Sequence, residues 1–488
     1  MEFLTTKEIS QRWNISARRV AILCEDGRLT GAIKKGKTWL IPSNTRKPND
    51  GRYKRMKAYY EKFINLENKY RVIYPESVNA TYTSLLNYSD DLNKPFQRWY
   101  RYKEGFSVEL VEQLIREYSK HKEGIILDPF SGSGSTLLAA NDMGYSGVGF
   151  EVNPFSFFLS KCKLEKYTKE IIEQFKKEYE KILHHAEEAD EAYVLPKLSI
   201  SEKVFADEIE KYYMNIGMLI EECKADEKII NLLKLGWLAC LEPLCNYRKA
   251  GNGLKIKKYV KPRVITVDDA RVIFLEEYQN MYIDLLKSKS IGDATIYNET
   301  CLHMAKQIKP ESVDGIIFSP PYANCFDYTE IYKLELWFGK FVSEYADLKK
   351  LRNASLHSHL NGDLNIEVKA KSETLTKLLI ELQEKELWDK KIPKMLQLYY
   401  DDMFKVLDES YASLVDQGFC CIVVGNSAYG GIVFPADLIL AEYAEKIGFK
   451  VDKIEVDRYI ITSSQQYEMT KETGKYLRES VVCLVKNK

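Results

Sequence analysis

The sequence predicts an α/β fold built on a parallel sheet, interrupted by a mostly helical insertion and preceded by a small basic unit. Three observations carry that prediction. Short apolar segments recur, and two end in an acid: Gly124-Ile125-Ile126-Leu127-Asp128 and Gly147-Val148-Gly149-Phe150-Glu151. Stretches of helical periodicity separate most of these segments, which is the pattern of strands running parallel. The span from Ser156 to about Ile291 is mostly charged amphipathic helix, too long for a simple crossover, and reads as an inserted domain, 156–291.

The remaining strands follow the same logic. Ala294 to Tyr297 reads as a third, Val313 to Phe318 as a fourth, and Gly418 to Gly425 as a fifth, while Phe449–Val456 and Ser480–Val485 suit a terminal hairpin. Residues 94–155 and 292–488 would make up the sheet domain. The chain has 488 residues, 45% hydrophobic and 29% charged, ordinary for a globular protein. No apolar run nears the roughly 20 residues of a membrane helix, and no apolar leader follows Met1, so a cytoplasmic location is expected. The 10 cysteines are scattered without Cys-x-x-Cys spacing, which predicts reduced thiols and no metal site.

Net charge is zero, but residues 1–58 hold 14 Lys/Arg against 5 Asp/Glu. Such an end suggests an anionic partner, most simply nucleic acid. Within 1–48, Thr5 to Trp13 can form a capped helix, Asn14-Ile15-Ser16 a turn, and a second helix would run through Cys24 and stop at Gly27. Gly31 to Pro42 then reads as two short strands around Lys35-Gly36-Lys37. Two helices and a basic wing form a DNA-docking geometry, with Arg18, Arg19, Lys35 and Lys37 as candidate contacts. The segment resembles the winged helix-turn-helix of excisionase and MerR-type DNA-binding proteins. A helical cap with a solvated basic face would share the pattern. Residues 49–93 read as a linker and a charged helix from Arg52 to Tyr70.

Asp128-Pro129-Phe130-Ser131-Gly132-Ser133-Gly134-Ser135-Thr136 follows the first strand and opens a helix. Its glycines allow a sharp turn and close approach of backbone to ligand. There is neither a third glycine at dinucleotide spacing nor a lysine as in a phosphate-binding loop. The acids are more telling: Asp128 can bond an amino group, and Glu151, at the end of the next strand, can take ribose hydroxyls. Ser319-Pro320-Pro321-Tyr322 follows the fourth strand at the same sheet edge, where ligand crevices lie. An exocyclic amino nitrogen is a poor nucleophile because its lone pair is delocalised. The Ser319 oxygen and the Pro320 carbonyl can accept its two hydrogens, the prolines fix the turn, and Tyr322 offers a face on which a base can stack.

Together the two loops resemble those of the amino-methylating (cytosine-N4 / adenine-N6) site-specific DNA methyltransferases. The resemblance implies a Rossmann-like class I S-adenosylmethionine-dependent methyltransferase sheet, with an inserted, mostly helical target-recognition domain and the N-terminal winged-helix domain. It implies that S-adenosyl-L-methionine is held by Phe106, Asp128, Pro129, Phe130, Gly132, Gly134, Thr136, Glu151 and Asn298, and that Ser319, Pro320, Pro321 and Tyr322 are catalytic. The adenine contacts are the weak point, because the acid expected after the third strand is not clearly placed in Tyr297-Asn298-Glu299-Thr300-Cys301. Ser at the first catalytic position resembles cytosine-N4 enzymes more than adenine-N6 ones. The partners implied are double-stranded DNA and a cognate restriction endonuclease.

Cys245 to Leu254 is a glycine-containing turn that runs into a basic stretch, and Asn246, Arg248, Asn252, Lys257 and Lys258 are candidate DNA contacts there. A solvated loop is the alternative. Phe326 and Tyr328 suit either a base pocket or a packed helix face. His357 and His359 read as part of a surface or DNA-facing loop. An RNA or protein methyltransferase, or a non-catalytic regulator, are the rival functions, and the intact Asp128, Ser319 and Tyr322 argue against the last.

Overall fold

A computed structural model describes residues 3–487 apart from 14, 26, 28, 37, 46, 48–62, 84, 86–90, 104, 106, 190–192, 196–203, 252, 258–264, 289–291, 461–469 and 471–472. The chain divides into two compact units, Met1–Lys69 and Tyr70–Lys488.

In the first unit, β1 (Phe3–Thr5) leads into α1 (Thr6–Trp13) and α2 (Ala17–Glu25), followed by β2 (Ile33–Lys35) and β3 (Thr38–Pro42). Thr5 and Glu8 cap α1 reciprocally: the Glu8 N–H donates to Thr5 Oγ1, and Glu8 Oε2 accepts from the Thr5 N–H. Ile9, Trp13, Val20, Leu23, Cys24, Leu29 and Ile41 form the core. The sheet has three strands rather than two, because β1 pairs antiparallel with β3. At three residues, β1 is too short to show alternation. Arg18 and Lys35 are exposed and Arg19 is half-buried, whereas Lys37 and the Arg52–Tyr70 helix up to residue 62 lie outside the described residues.

The second unit begins with β4 (Val72–Ile73), α3 (Val108–Tyr118), β5 (Ile125–Asp128), α4 (Ser135–Asp142), β6 (Ser146–Phe150) and α5 (Pro154–Leu164). Helices α6 (Lys169–His185), α7 (Asp207–Glu222), α8 (Glu227–Ala239) and α9 (Leu241–Leu244) follow, then the hairpin β7 (Tyr247–Ala250) and β8 (Gly253–Ile256), and α10 (Val267–Lys287). The chain returns to the sheet through β9 (Ala294–Tyr297) and β10 (Val313–Phe318). Next come α11 (Tyr328–Ile331), α12 (Lys333–Phe338), α13 (Tyr345–Ala354), α14 (Glu373–Gln383) and α15 (Ile392–Ser413). It closes with β11 (Leu414–Gly425), β12 (Ser427–Tyr429), β13 (Ile432–Phe434), α16 (Ala436–Ile447), β14 (Phe449–Tyr459) and β15 (Arg478–Lys486).

The main sheet runs β4-β14-β15-β11-β10-β5-β6-β9. Pairs β9–β6, β6–β5, β5–β10 and β10–β11 are parallel, while β15 is antiparallel to both β11 and β14. The sheet is therefore mixed rather than wholly parallel. β15 is buried along almost its whole length, so its composition matches a parallel interior strand and carries no mark of direction. β14 and β15 do pair, but through the long connection 460–477 rather than a tight turn. From β5 the chain extends one way to β6 and β9 and the other way to β10 and β11. The crevice of such a sheet opens at the carboxyl ends of β5 and β10.

The helices of the insertion share one apolar core with α11 and α12. Tyr213 stacks on Trp237 at 4.9 Å between centroids, and both rings also meet Phe338. The buried Asp284 on α10 accepts from the Phe96 N–H at 3.1 Å, Arg98 Nε at 3.0 Å and Trp99 Nε1 at 3.0 Å. One carboxylate thus ties the end of the insertion to the strip leading towards the crevice. All ten cysteines are free and eight are buried. Among the described residues, no helix is long and apolar enough to cross a membrane, and no cluster of three His, Cys, Asp or Glu side chains suits a metal ion.

Candidate active site

The loop after β5 is held from three sides. The Ser131 N–H donates to the Phe150 carbonyl at 2.9 Å, Ser160 Oγ donates to the Gly132 carbonyl at 2.8 Å, and the Phe130 N–H donates to Asp128 Oδ1 at 2.9 Å. Gly134 begins α4 at φ 81°, and a Cβ there would press on Ser160 Oγ at 3.0 Å. That left-handed turn with a close neighbour requires glycine. Asp128 is fully buried, and its Oδ2 has no partner among the described residues. Burial raises its carboxyl to about 7, against the pull of Thr136 and the Phe130 N–H.

Glu151, just beyond β6, accepts from the Gly132 N–H at 2.8 Å and the Asn153 N–H at 2.7 Å, one on each oxygen. Enclosure raises it to about 7 as well, against those bonds. The lone pairs left on both oxygens remain available to further donors.

These groups border a cleft of about 1040 Å³. Pro129, Phe130, Gly132 and Glu151 line it, as do Ser319 and Pro321 across the switch point. Asp128, Gly134 and Thr136 lie beneath the loop rather than in the wall, and Phe106 lies outside the described residues, though its neighbour Gly105 is in the wall. The Asn298 amide donates to the carbonyls of Glu151 at 2.7 Å and Val152 at 3.3 Å and so braces the end of β6, and the residue is not in the cleft wall. Glu299, Thr300 and Cys301 supply the wall there instead.

A second pocket of about 480 Å³ adjoins the first. Ser319, Pro320, Tyr322, Phe326, Tyr328 and Val423 are among its lining residues, and Ser319, Tyr328 and Gly105 border both cavities. Ser319 Oγ donates to the Tyr322 hydroxyl at 3.4 Å, and that hydroxyl donates to Glu479 Oε1 at 2.5 Å. Arg458 Nε holds the other Glu479 oxygen at 2.5 Å. A Cβ on Gly425 would meet the Tyr322 ring at 2.7 Å, so the ring packs close against bare strand backbone. Phe326 is both core and wall: it is buried in the helical core and also lines the second pocket.

In the insertion, Asn246 and Arg248 are exposed at the start of the β7–β8 hairpin, while Asn252 and Lys258 lie outside the described residues. Lys257 turns inward and donates to the Glu242 carbonyl at 2.6 Å and the Pro243 carbonyl at 3.3 Å, near the end of α9. The two histidines are not a surface loop. His357 bonds Asp402 at 2.6 Å, and His359 is 3% exposed and lines the cleft. Sequence reasoning also passed over Glu479, Asp327 and Arg352. Each meets its partner across a long stretch of chain, so no local spacing marks it.

The buried Asp128 makes a prediction about the ligand-free protein. A folded value of about 7 against an ordinary value of 3.8 means that the folded state holds this proton longer than the unfolded chain does. The resulting stability is present below the unfolded value and is lost as pH rises through about 7. Asp128→Asn removes the ionisation while keeping the acceptor for Phe130. The variant should melt above the wild type at about pH 8, with the gap narrowing as pH falls from about 7 and closing only towards about pH 4. A variant that melts lower at pH 8 would contradict the assigned environment.

The architecture and the paired strand-end loops agree with comparisons to known proteins. A family model described as DNA methylase, of the N6/N4 type, matches residues 32–162. One described as D12 class N6 adenine-specific DNA methyltransferase matches residues 108–224. The Type II methyltransferase M.AvaI of Nostoc sp. is 30% identical over 405 residues, covering 76% of this chain and 82% of that protein. The Type II methyltransferase M.BsoBI of Geobacillus stearothermophilus is 26% identical over 453 residues, covering 80% and 86%. With a strand order in which β5 and β10 present their loops to one crevice, this chain belongs to the amino-methylating Type II DNA methyltransferases, whose methyl donor is S-adenosyl-L-methionine.

Proposed function

We propose that the chain methylates the exocyclic N4 amino group of a cytosine flipped out of duplex DNA, as the modification partner of a restriction endonuclease. The observation that carries this reading is Ser319, which borders the cleft and the second pocket at once. The donor fits the residues present. Glu151 suits ribose hydroxyls, Pro129, Phe130 and Gly132 offer the flanking wall, and Asp128, whose buried Oδ2 has no partner among the described residues, begins that loop. When bound, S-adenosylmethionine supplies an electrophilic methyl group on sulfonium sulfur.

The chain's own residues orient the acceptor. Ser319 Oγ and the Pro320 carbonyl accept the two amino hydrogens, and the two prolines hold that carbonyl in place. Flipping a base costs a few kcal/mol. Stacking in the pocket of Tyr322, Phe326 and Tyr328, at about 1–3 kcal/mol per base, offsets much of it. Glu479, held in turn by Arg458, fixes the Tyr322 hydroxyl at the pocket wall. The rate then comes mainly from position. Arg18, Arg19 and Lys35 of the first unit, which we take as a winged helix, are assigned to phosphates and base edges, as are Asn246 and Arg248 of the insertion.

The adenine-N6 reading has one specific support, the match to an adenine-specific model over residues 108–224. A hydroxyl can accept from either amino group. Expression in a methylation-free host, followed by modification-sensitive sequencing, decides between the bases: N4-methylcytosine at a fixed sequence is expected, and N6-methyladenine alone would overturn the cytosine assignment. In the same assay Ser319→Ala and Tyr322→Ala should lose methylation at least about 100-fold, with cofactor affinity kept. Full activity in both would remove the catalytic roles assigned here.

The first unit has its own test. Removal of residues 1–48 should weaken DNA binding and flatten its dependence on salt, since every basic side chain taken away from a phosphate reduces the slope by roughly one. Unchanged binding across a salt series would take the unit out of DNA recognition.

A further inference from the structure

The loop after α13 brings a buried imidazole into the cleft by a route that none of the motifs above uses. It is fastened to the segment following the catalytic turn. The Cys325 N–H donates to the Ser358 carbonyl at 3.0 Å, and Asn361 Nδ2 and Arg352 Nε both donate to Asp327 Oδ2, at 2.9 and 2.8 Å. On its other side the His357 N–H and Nδ1 engage Asp402 of α15, at 3.0 and 2.6 Å. The loop is therefore fixed relative to Ser319–Tyr322, and His359 has little freedom to move.

The hydrogen bonds of His359 also fix its protonation. Its Nδ1 accepts from the Asn361 N–H at 3.2 Å. A ring nitrogen that accepts carries no hydrogen, so the neutral ring holds its proton on Nε2. Burial holds the imidazolium below its ordinary range, and Arg352 and His357 add to this against the pull of Asp327. Nε2–H has no acceptor among the described residues, although the side chain is 3% exposed and lines the cleft. That N–H is therefore available to a ligand in the cleft, and a neutral donor adds no second cation beside a sulfonium.

We propose that His359 is a nucleobase-binding residue, whose Nε2–H donates to an unprotonated ring nitrogen or carbonyl oxygen of a base held in the cleft. This rests on the reading of the cleft given above and deepens it. Two bases offer that chemistry: the adenine of the cofactor and the target base itself.

The chain has only 6 histidines, so the proton–carbon correlation spectrum of protein labelled at histidine Cε1 is simple. His359→Ala identifies the signal. In the wild type it should remain that of a neutral ring from about pH 6 to 8. It should shift on saturation with S-adenosylhomocysteine if the acceptor is the cofactor adenine. If the acceptor is the target base, it should shift only when unmethylated duplex bearing the mapped site is added. His359→Ala should lose about tenfold in affinity for the same ligand, and His359→Gln, which keeps an N–H near the Nε2 position, should recover most of it. A signal that neither ligand moves, or an alanine variant that binds both ligands as the wild type does, overturns the assignment even if methylation mapping succeeds. Wild-type protein that binds no S-adenosylhomocysteine overturns the reading of the cleft, and this assignment with it.

Discussion

Everything at this site depends on the pairing of β5 with β10. Ile126 and Leu127 sit opposite Gly315 and Ile316 in a parallel register, so both strands end at the same edge. That brings the loop beginning at Asp128 beside the loop beginning at Ser319, although almost two hundred residues of chain separate them. Because β6 leaves β5 on the other side, the sheet parts at this point and leaves a crevice. The insertion between β6 and β9 can be long because it need only return to the far edge of the sheet. It is welded back by Asp284 and by a core shared with α11 and α12.

The crevice is also where the fold is least comfortable. Asp128 and Glu151 are carboxyls raised by burial to about 7, and Asp128 Oδ2 has no partner among the described residues. The His359 Nε2–H also has no acceptor among the described residues, though it stands in the cleft wall rather than sealed from it. An unliganded protein gains nothing in stability from such groups. They are explicable if a cationic, hydroxyl-bearing, base-carrying ligand completes them, which is what the family's methyl donor is. The trade of stability for binding is familiar at functional sites.

Much of this was legible in the sequence because it is local. Asp128, Glu151 and Ser319 each end an apolar strand, and the glycines and prolines beside them announce the turns. The strands from Ile125 to Phe318 fell within a residue or so of expectation for the same reason. What could not be read is what depends on distant chain. The antiparallel pairing of β14 with β15 was legible as a hairpin, but that β15 also lies antiparallel on β11 leaves no trace in a strand buried along almost its whole length. Asn298 looked like a cleft residue from its position, yet its amide faces the end of β6. His359 looked like part of a polar loop because Asp327 and Asp402, which fasten that loop through Asn361 and His357, are far from it in sequence. The Glu479 clamp on Tyr322 spans the whole catalytic region.

The most direct test is a crystal structure with S-adenosylhomocysteine and a duplex carrying the modified site. The cofactor's amino-acid end should lie against the Asp128 loop, its ribose at Glu151, and the extruded base in the Tyr322 pocket with its amino nitrogen between Ser319 and the cofactor sulfur. A base or cofactor bound away from the carboxyl ends of β5 and β10 would contradict the account.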